Sequence, residues 1–187
     1  MSSEKDEKTR LEQERRELNT IIEKGVTFEV KDVEFETKTR FFGLVNKYIP
    51  HEVTRKFTIQ EPTLSTLDRL SSEWIEFAID EEALKSSDGM IAARRYANKH
   101  CDRCAKVVAI AVLGEDLLIP VPGKGGMRWI EDEKRLDELT RLFKRKIKPS
   151  RLYQLYVLIN TMCNLGDFLN SIRLMSTDRT TMPNPIE

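Results

Sequence analysis

Between Cys104 and Val112 the chain is apolar on almost every side: Cys104, Val107, Val108, Ile110, Ala111 and Val112 crowd into nine positions before Gly114. A helix that is apolar all round has no face to give to water, so this stretch belongs at the centre of a core. The same pattern starts at Met90 and runs through Ile91 and Tyr96, so a long helix leads into the core and ends at Gly114.

The rest of the chain is helical around this centre. Pro62 and Thr63 form a helix start, and Leu64, Leu67, Leu70, Trp74 and Ala78 recur at three- and four-residue spacing to about Ile79. Asp80 caps a next helix with Glu81 and Glu82 in its first turn, and the stretch 86–89 breaks it. Leu136, Leu139, Leu142, Phe143 and Ile147 define another amphipathic helix, which Pro149 stops. Ser150 caps its successor, which carries Leu152, Leu155, Tyr156, Ile159 and Met162 until Gly166. A short closing helix covers 167–175, and an extended tail follows. Leu67, Trp74, Val108, Leu139, Leu155 and Ile159 are the expected core.

Strand periodicity appears in one region. Val26, Phe28 and Val30, then Val33, Phe35 and Thr37, alternate on either side of Lys31 and Asp32, which predicts a short hairpin. The stretch 41–49 fits strand or helix, Pro50 ends it, and 52–59 alternates again. The expectation is therefore a mainly α protein: a helical domain with a small β element near residues 26–60. Residues 1–25 form a charged N-terminal helix or arm. Residues 26–187 form a single helical domain with the short β segment and a Pro/Gly-rich excursion at 115–130, where the flanking apolar pieces 117–121 and 127–130 form an irregular hairpin.

Composition excludes several classes. With 187 residues the chain is long enough for one core and too short for two full-sized domains. Thirty-one basic and thirty-one acidic residues cancel, so no global field draws it to nucleic acid or to an anionic membrane. No apolar run approaches the roughly 20 residues of a bilayer span, and the first residues, SSEKDEKTR, hold no stretch of a signal peptide. Three cysteines are an odd number, against a secreted disulfide framework. A cytoplasmic protein is expected. Its N-terminal stripe of Leu11, Leu18, Ile21 and Ile22 is too narrow to fold alone. It docks by one edge, stays disordered, or pairs with a second copy in a homo-oligomer.

Chemistry is scarce. His100, Cys101 and Cys104 are ligand types that suit zinc, but a fourth ligand would have to come from Cys163 or His51, and burial or a redox pair are the alternatives. Pro122-Gly123-Lys124-Gly125-Gly126 has the composition of a phosphate loop without its spacing. With two histidines and no nucleophile or metal motif, catalytic, cofactor and metal residues are all expected to be absent. The one local charge bias is Arg141, Lys144, Arg145, Lys146, Lys148 and Arg151, without an acid among them. Segment 141–151 carries the alternative reading of a nucleic-acid-associated regulator.

Two stretches carry a resemblance. Phe57-Thr58-Ile59-Gln60-Glu61-Pro62-Thr63-Leu64 followed by Leu67, and Gly166-Asp167-Phe168-Leu169-Asn170-Ser171-Ile172-Arg173-Leu174-Met175, resemble the small tail assembly chaperones of bacteriophages and prophages. The resemblance spans about residues 26–180. It implies a mainly helical, cytoplasmic, non-enzymatic protein of the host cell that holds an aggregation-prone helical client, the tape measure protein, during tail assembly. Phe168, Leu169, Ile172, Leu174 and Met175 are the candidate partner-binding residues, because a chaperone for a helical client needs exposed apolar, adaptable side chains.

Overall fold

In the computed structural model, the structure describes residues 24–40, 45–84 and 89–177, together with Glu17 and Thr20. The chain opens with two long strands, β1 (Val26–Arg40) and β2 (Val45–Ile59), and continues into helices α1 (Leu64–Leu84) and α2 (Gly89–Leu113). A 3-10 turn (Gly114–Leu117) leads to a second hairpin, β3 (Leu118–Gly123) and β4 (Gly126–Glu131). Helices α3 (Glu133–Lys146), α4 (Pro149–Met162) and α5 (Leu165–Thr177) complete it.

This corrects the expected fold class. The described residues are 63% helix and 28% strand, in two antiparallel two-stranded sheets, so the architecture is mixed α/β and not mainly α with a small element near 26–60. The first hairpin does not turn at Lys31 and Asp32. Each of its strands runs 15 residues, with Val26 opposite Ile59 and Arg40 opposite Val45. At about 3.3 Å per residue the ribbon is roughly 50 Å long. Pro50 does not end a strand but lies inside β2 opposite Phe35. A two-stranded ribbon leaves one edge of each strand unpaired, where a residue without an N–H breaks no ladder bond. The 115–130 excursion is likewise a regular hairpin, paired from Leu118–Glu131 to Gly123–Gly126.

The core forms where the inner ribbon meets the helices. Phe28, Val30 and Ile59 pack with Leu67 and Leu70 of α1, the Ala105–Leu113 end of α2, Leu136, Leu142 and Phe143 of α3, and Leu155, Ile159 and Met162 of α4. Phe28, Phe57 and Phe143 cluster with ring centroids 5.0 to 5.9 Å apart, which fixes the ribbon on α3. Of the expected core, Leu67, Val108, Leu155 and Ile159 are buried, while Trp74 and Leu139 are half-buried at its margin.

Helix ends follow local chemistry. Thr63 caps α1, its Oγ1 accepting from the Thr66 N–H at 3.3 Å. Asp132 caps α3 by accepting from the Arg135 N–H at 3.0 Å. Asp80 starts no new helix, because α1 runs through it to Leu84. Pro149 opens α4 at its first turn, where a missing N–H costs nothing, with Lys148 rather than Ser150 as the cap. The break before α5 falls at Asn164, in the left-handed region at φ 45°, and Gly166 lies inside α5. Among the described residues no helix is long and apolar enough to cross a membrane. The N-terminal stripe around Leu11, Leu18, Ile21 and Ile22 lies outside the described residues, as does the tail beyond Thr177.

Candidate functional site

The basic segment 141–151 is largely engaged within the protein. Lys144 Nζ lies 2.6 Å from Asp102 of α2, Arg141 pairs with Asp137 one turn back at 3.8 Å, and Arg151 donates to Gln154 at 2.9 Å. Arg145 and Lys146 converge on Asp32 of β1 at 3.1 and 3.7 Å, joined by Arg55 of β2 at 3.7 Å. The Asp32 side chain is only 7% accessible. Burial by itself raises its pKa, but the Val33 backbone N–H and the charges of Arg145, Arg55 and Lys146 outweigh that and hold the carboxyl below its ordinary 3.8. The cations thus clasp the ribbon to the end of α3, and phosphate contacts would have to compete with these pairs.

The sulfur cluster does not converge. His100 is buried, stacked on Tyr96 (centroids 5.7 Å, 10° between planes) and against Phe77 at 5.0 Å. Cys101 is exposed, Cys104 half-buried and Cys163 buried elsewhere, in the turn after α4. Burial, and secondarily the neighbouring Cys101, raises the Cys104 thiol, while burial pushes Cys163 up to about 11, both the reverse of an activated thiolate. Among the described residues no group of three or more His, Cys, Asp and Glu side chains could hold a metal ion. Lys124 and Gly125 form the two-residue turn of β3–β4, followed by a strand and not by the helix N-terminus that a phosphate cradle needs.

The partner-binding candidates fall together on α5. Phe168, Leu169, Ile172, Leu174 and Met175 are 38% to 69% exposed, and no described side chain of this helix is buried. Helical spacing sets Leu165, Phe168, Leu169, Ile172 and Met175 on one face and turns Leu174 away from it. α5 has no extensive packing against another described element. Asn164 sets its direction: the backbone carbonyl accepts from the Asp167 and Phe168 N–H groups, and the side-chain amide donates to Asp167 at 3.0 Å.

Beside α4 runs an apolar groove. One cavity of about 390 Å³ is lined by Phe77, Val107, Val108, Tyr153 and Tyr156, and a second of about 370 Å³ by Tyr96, His100, Phe143 and Ile147. Cys104, Pro149 and Leu152 line both, so the two lie side by side along the start of α4.

Comparison with protein-family models, curated proteins and solved structures finds no match.

Sequence reasoning missed the groove, and it placed Tyr156 on the inner stripe of α4, where the structure leaves it 39% exposed with Tyr153 and Val157 beside it. A signal was present: from 149 to 176 the only charged residues are Arg151, Asp167 and Arg173, in a chain that is 33% charged. Loss of charge from an exposed surface marks interface cores.

Proposed function

We propose that this protein is a non-enzymatic, cytoplasmic assembly factor of the phage tail assembly chaperone kind, which holds an aggregation-prone helical client on its C-terminal apolar surface. The carrying observation is α5, an amphipathic helix whose apolar residues stay 38% to 69% exposed and which has no extensive packing against another described element. Thirteen residues are marginal as an isolated helix in water, so a helix of this length with such a face is suited to docking. The groove along α4 adds the concave, apolar receptor that helix-in-groove recognition uses. The engagement of Lys144, Arg145 and Lys146 with Asp102 and Asp32 weighs against the nucleic-acid reading.

Co-expression with a tape measure fragment tests this. Wild type should keep the fragment soluble, and Met175→Ser, at a 69% exposed position, should lose that capacity with an unchanged melting temperature. Equal client solubility with and without wild type would refute the reading.

A further inference from the structure

The chain displays two apolar surfaces: the exposed face of a helix on α5 and a groove along α4 and α2. We propose that they serve each other between two copies of the chain, α5 of one protomer lying in the α2–α4 groove of its partner and the reverse, so that the protein without client is a reciprocally exchanged dimer.

Three observations carry this. First, area: taking each large apolar residue as close to the lower part of the roughly 150–250 Å² of an aromatic one, the exposed fractions of Leu165, Phe168, Leu169, Ile172 and Met175 leave on the order of 400–500 Å² on the apolar face of α5. A reciprocal exchange covers two such faces, roughly 800–1,000 Å², together with the two grooves they enter, which brings it within the roughly 1,200–2,000 Å² of standard stable interfaces. Second, charge: Arg151, Asp167 and Arg173 are the only charges of segment 149–176, and Lys144, the one Lys, Arg, Asp or Glu that lines the groove, is paired with Asp102, so two copies meet there without a clash of like-charged clusters. Third, direction: two residues, Cys163 and Asn164, separate α4 from α5, and the left-handed Asn164 carries α5 off α4 rather than back along it. A closing helix held away from its own chain's groove by a short link is the arrangement from which segment exchange arises. The inference rests on the proposed function in taking both α5 and the groove along α4 as docking surfaces. A client helix would then enter by displacing the partner's α5.

Sedimentation velocity on the full chain, with a complementation arm, tests it. Wild type should sediment as two chains. Met175→Lys on α5 and Tyr153→Lys in the groove, at positions 69% and 72% exposed, should each weaken self-association at least about tenfold while circular dichroism stays unchanged. An equimolar mixture of the two variants should regain a two-chain species, because one intact α5 then meets one intact groove. A monomeric wild type would overturn the proposal. So would a mixture that fails to associate, or a dimer lost on Ile22→Lys but kept in Met175→Lys. If either variant loses its fold, hydrogen exchange of the wild type decides: protection at 165–175 should rise with chain concentration, and protection independent of it overturns the exchange. A tape measure fragment retained by a monomeric wild type would sink the dimer and leave the proposed function, and self-association without retention would do the reverse.

Discussion

Replacing Asp32 by Asn keeps the size of the side chain and removes the charge on which Arg145, Lys146 and Arg55 converge. Breaking a fully buried ion pair costs about 3–5 kcal/mol. Here Arg145 and Arg55 are 65% and 42% accessible and return to water when the carboxylate is gone, so the loss should be nearer that of charged hydrogen bonds, about 1.5–3 kcal/mol. The sign with pH follows from the shift. The folded carboxyl titrates below 3.8, so its contribution is complete above that value and is lost as pH falls through the lower folded pKa. Urea unfolding of wild type and Asp32→Asn in parallel, from pH 7 down to about pH 2.5, should show the full difference at neutral pH and a shrinking one below about pH 4. Other carboxyl groups titrate in both proteins and cancel. A difference that stays constant across that range, or no difference at pH 7, would refute the clasp.

Val108→Asp should unfold the protein, because Val108 is 1% exposed within the core and an unpaired carboxylate there cannot be solvated; circular dichroism at room temperature is the check, and a wild-type melting curve would contradict it. Thiol labelling at pH 8 should modify Cys101 first, Cys104 slowly and Cys163 only on unfolding, following exposure and the raised thiols, and fast labelling of Cys163 in the folded protein would show that the turn after α4 opens.

The centre of the fold was legible because Val107 to Ala111 is apolar in every direction, and only burial accommodates that. The ribbon was not, for a reason visible in its register. Its inner half packs Phe28 and Val30 on the helices, but past Asp32 the apolar residues Val33 and Phe35 change to odd positions, on the opposite face. In sequence that break at Lys31 and Asp32 looks like a turn between two short strands, whereas it marks where a single strand leaves the body. Phe35 and Tyr48 on the outer half are each 63% exposed, so tertiary burial could not announce the strand either. The apolar face of α5 was legible from helical spacing, whereas its assignment to partner binding came from the resemblance to tail assembly chaperones. The groove was not, since Phe77, Cys104 and Leu152 come from three helices whose packing no local pattern encodes.

The central claim, that the C-terminal apolar surface binds a helical protein segment, is tested most directly by fluorescence anisotropy of a labelled tape measure fragment titrated with the protein at low and high salt. Apolar docking predicts saturable binding that changes little with salt and weakens about tenfold or more in Leu169→Ser and Met175→Ser. No binding of the fragment, together with binding of a nucleic acid at low salt that falls steeply with added salt and disappears on replacing Lys144, Arg145 and Lys146, would contradict the account and restore the basic segment as the functional surface.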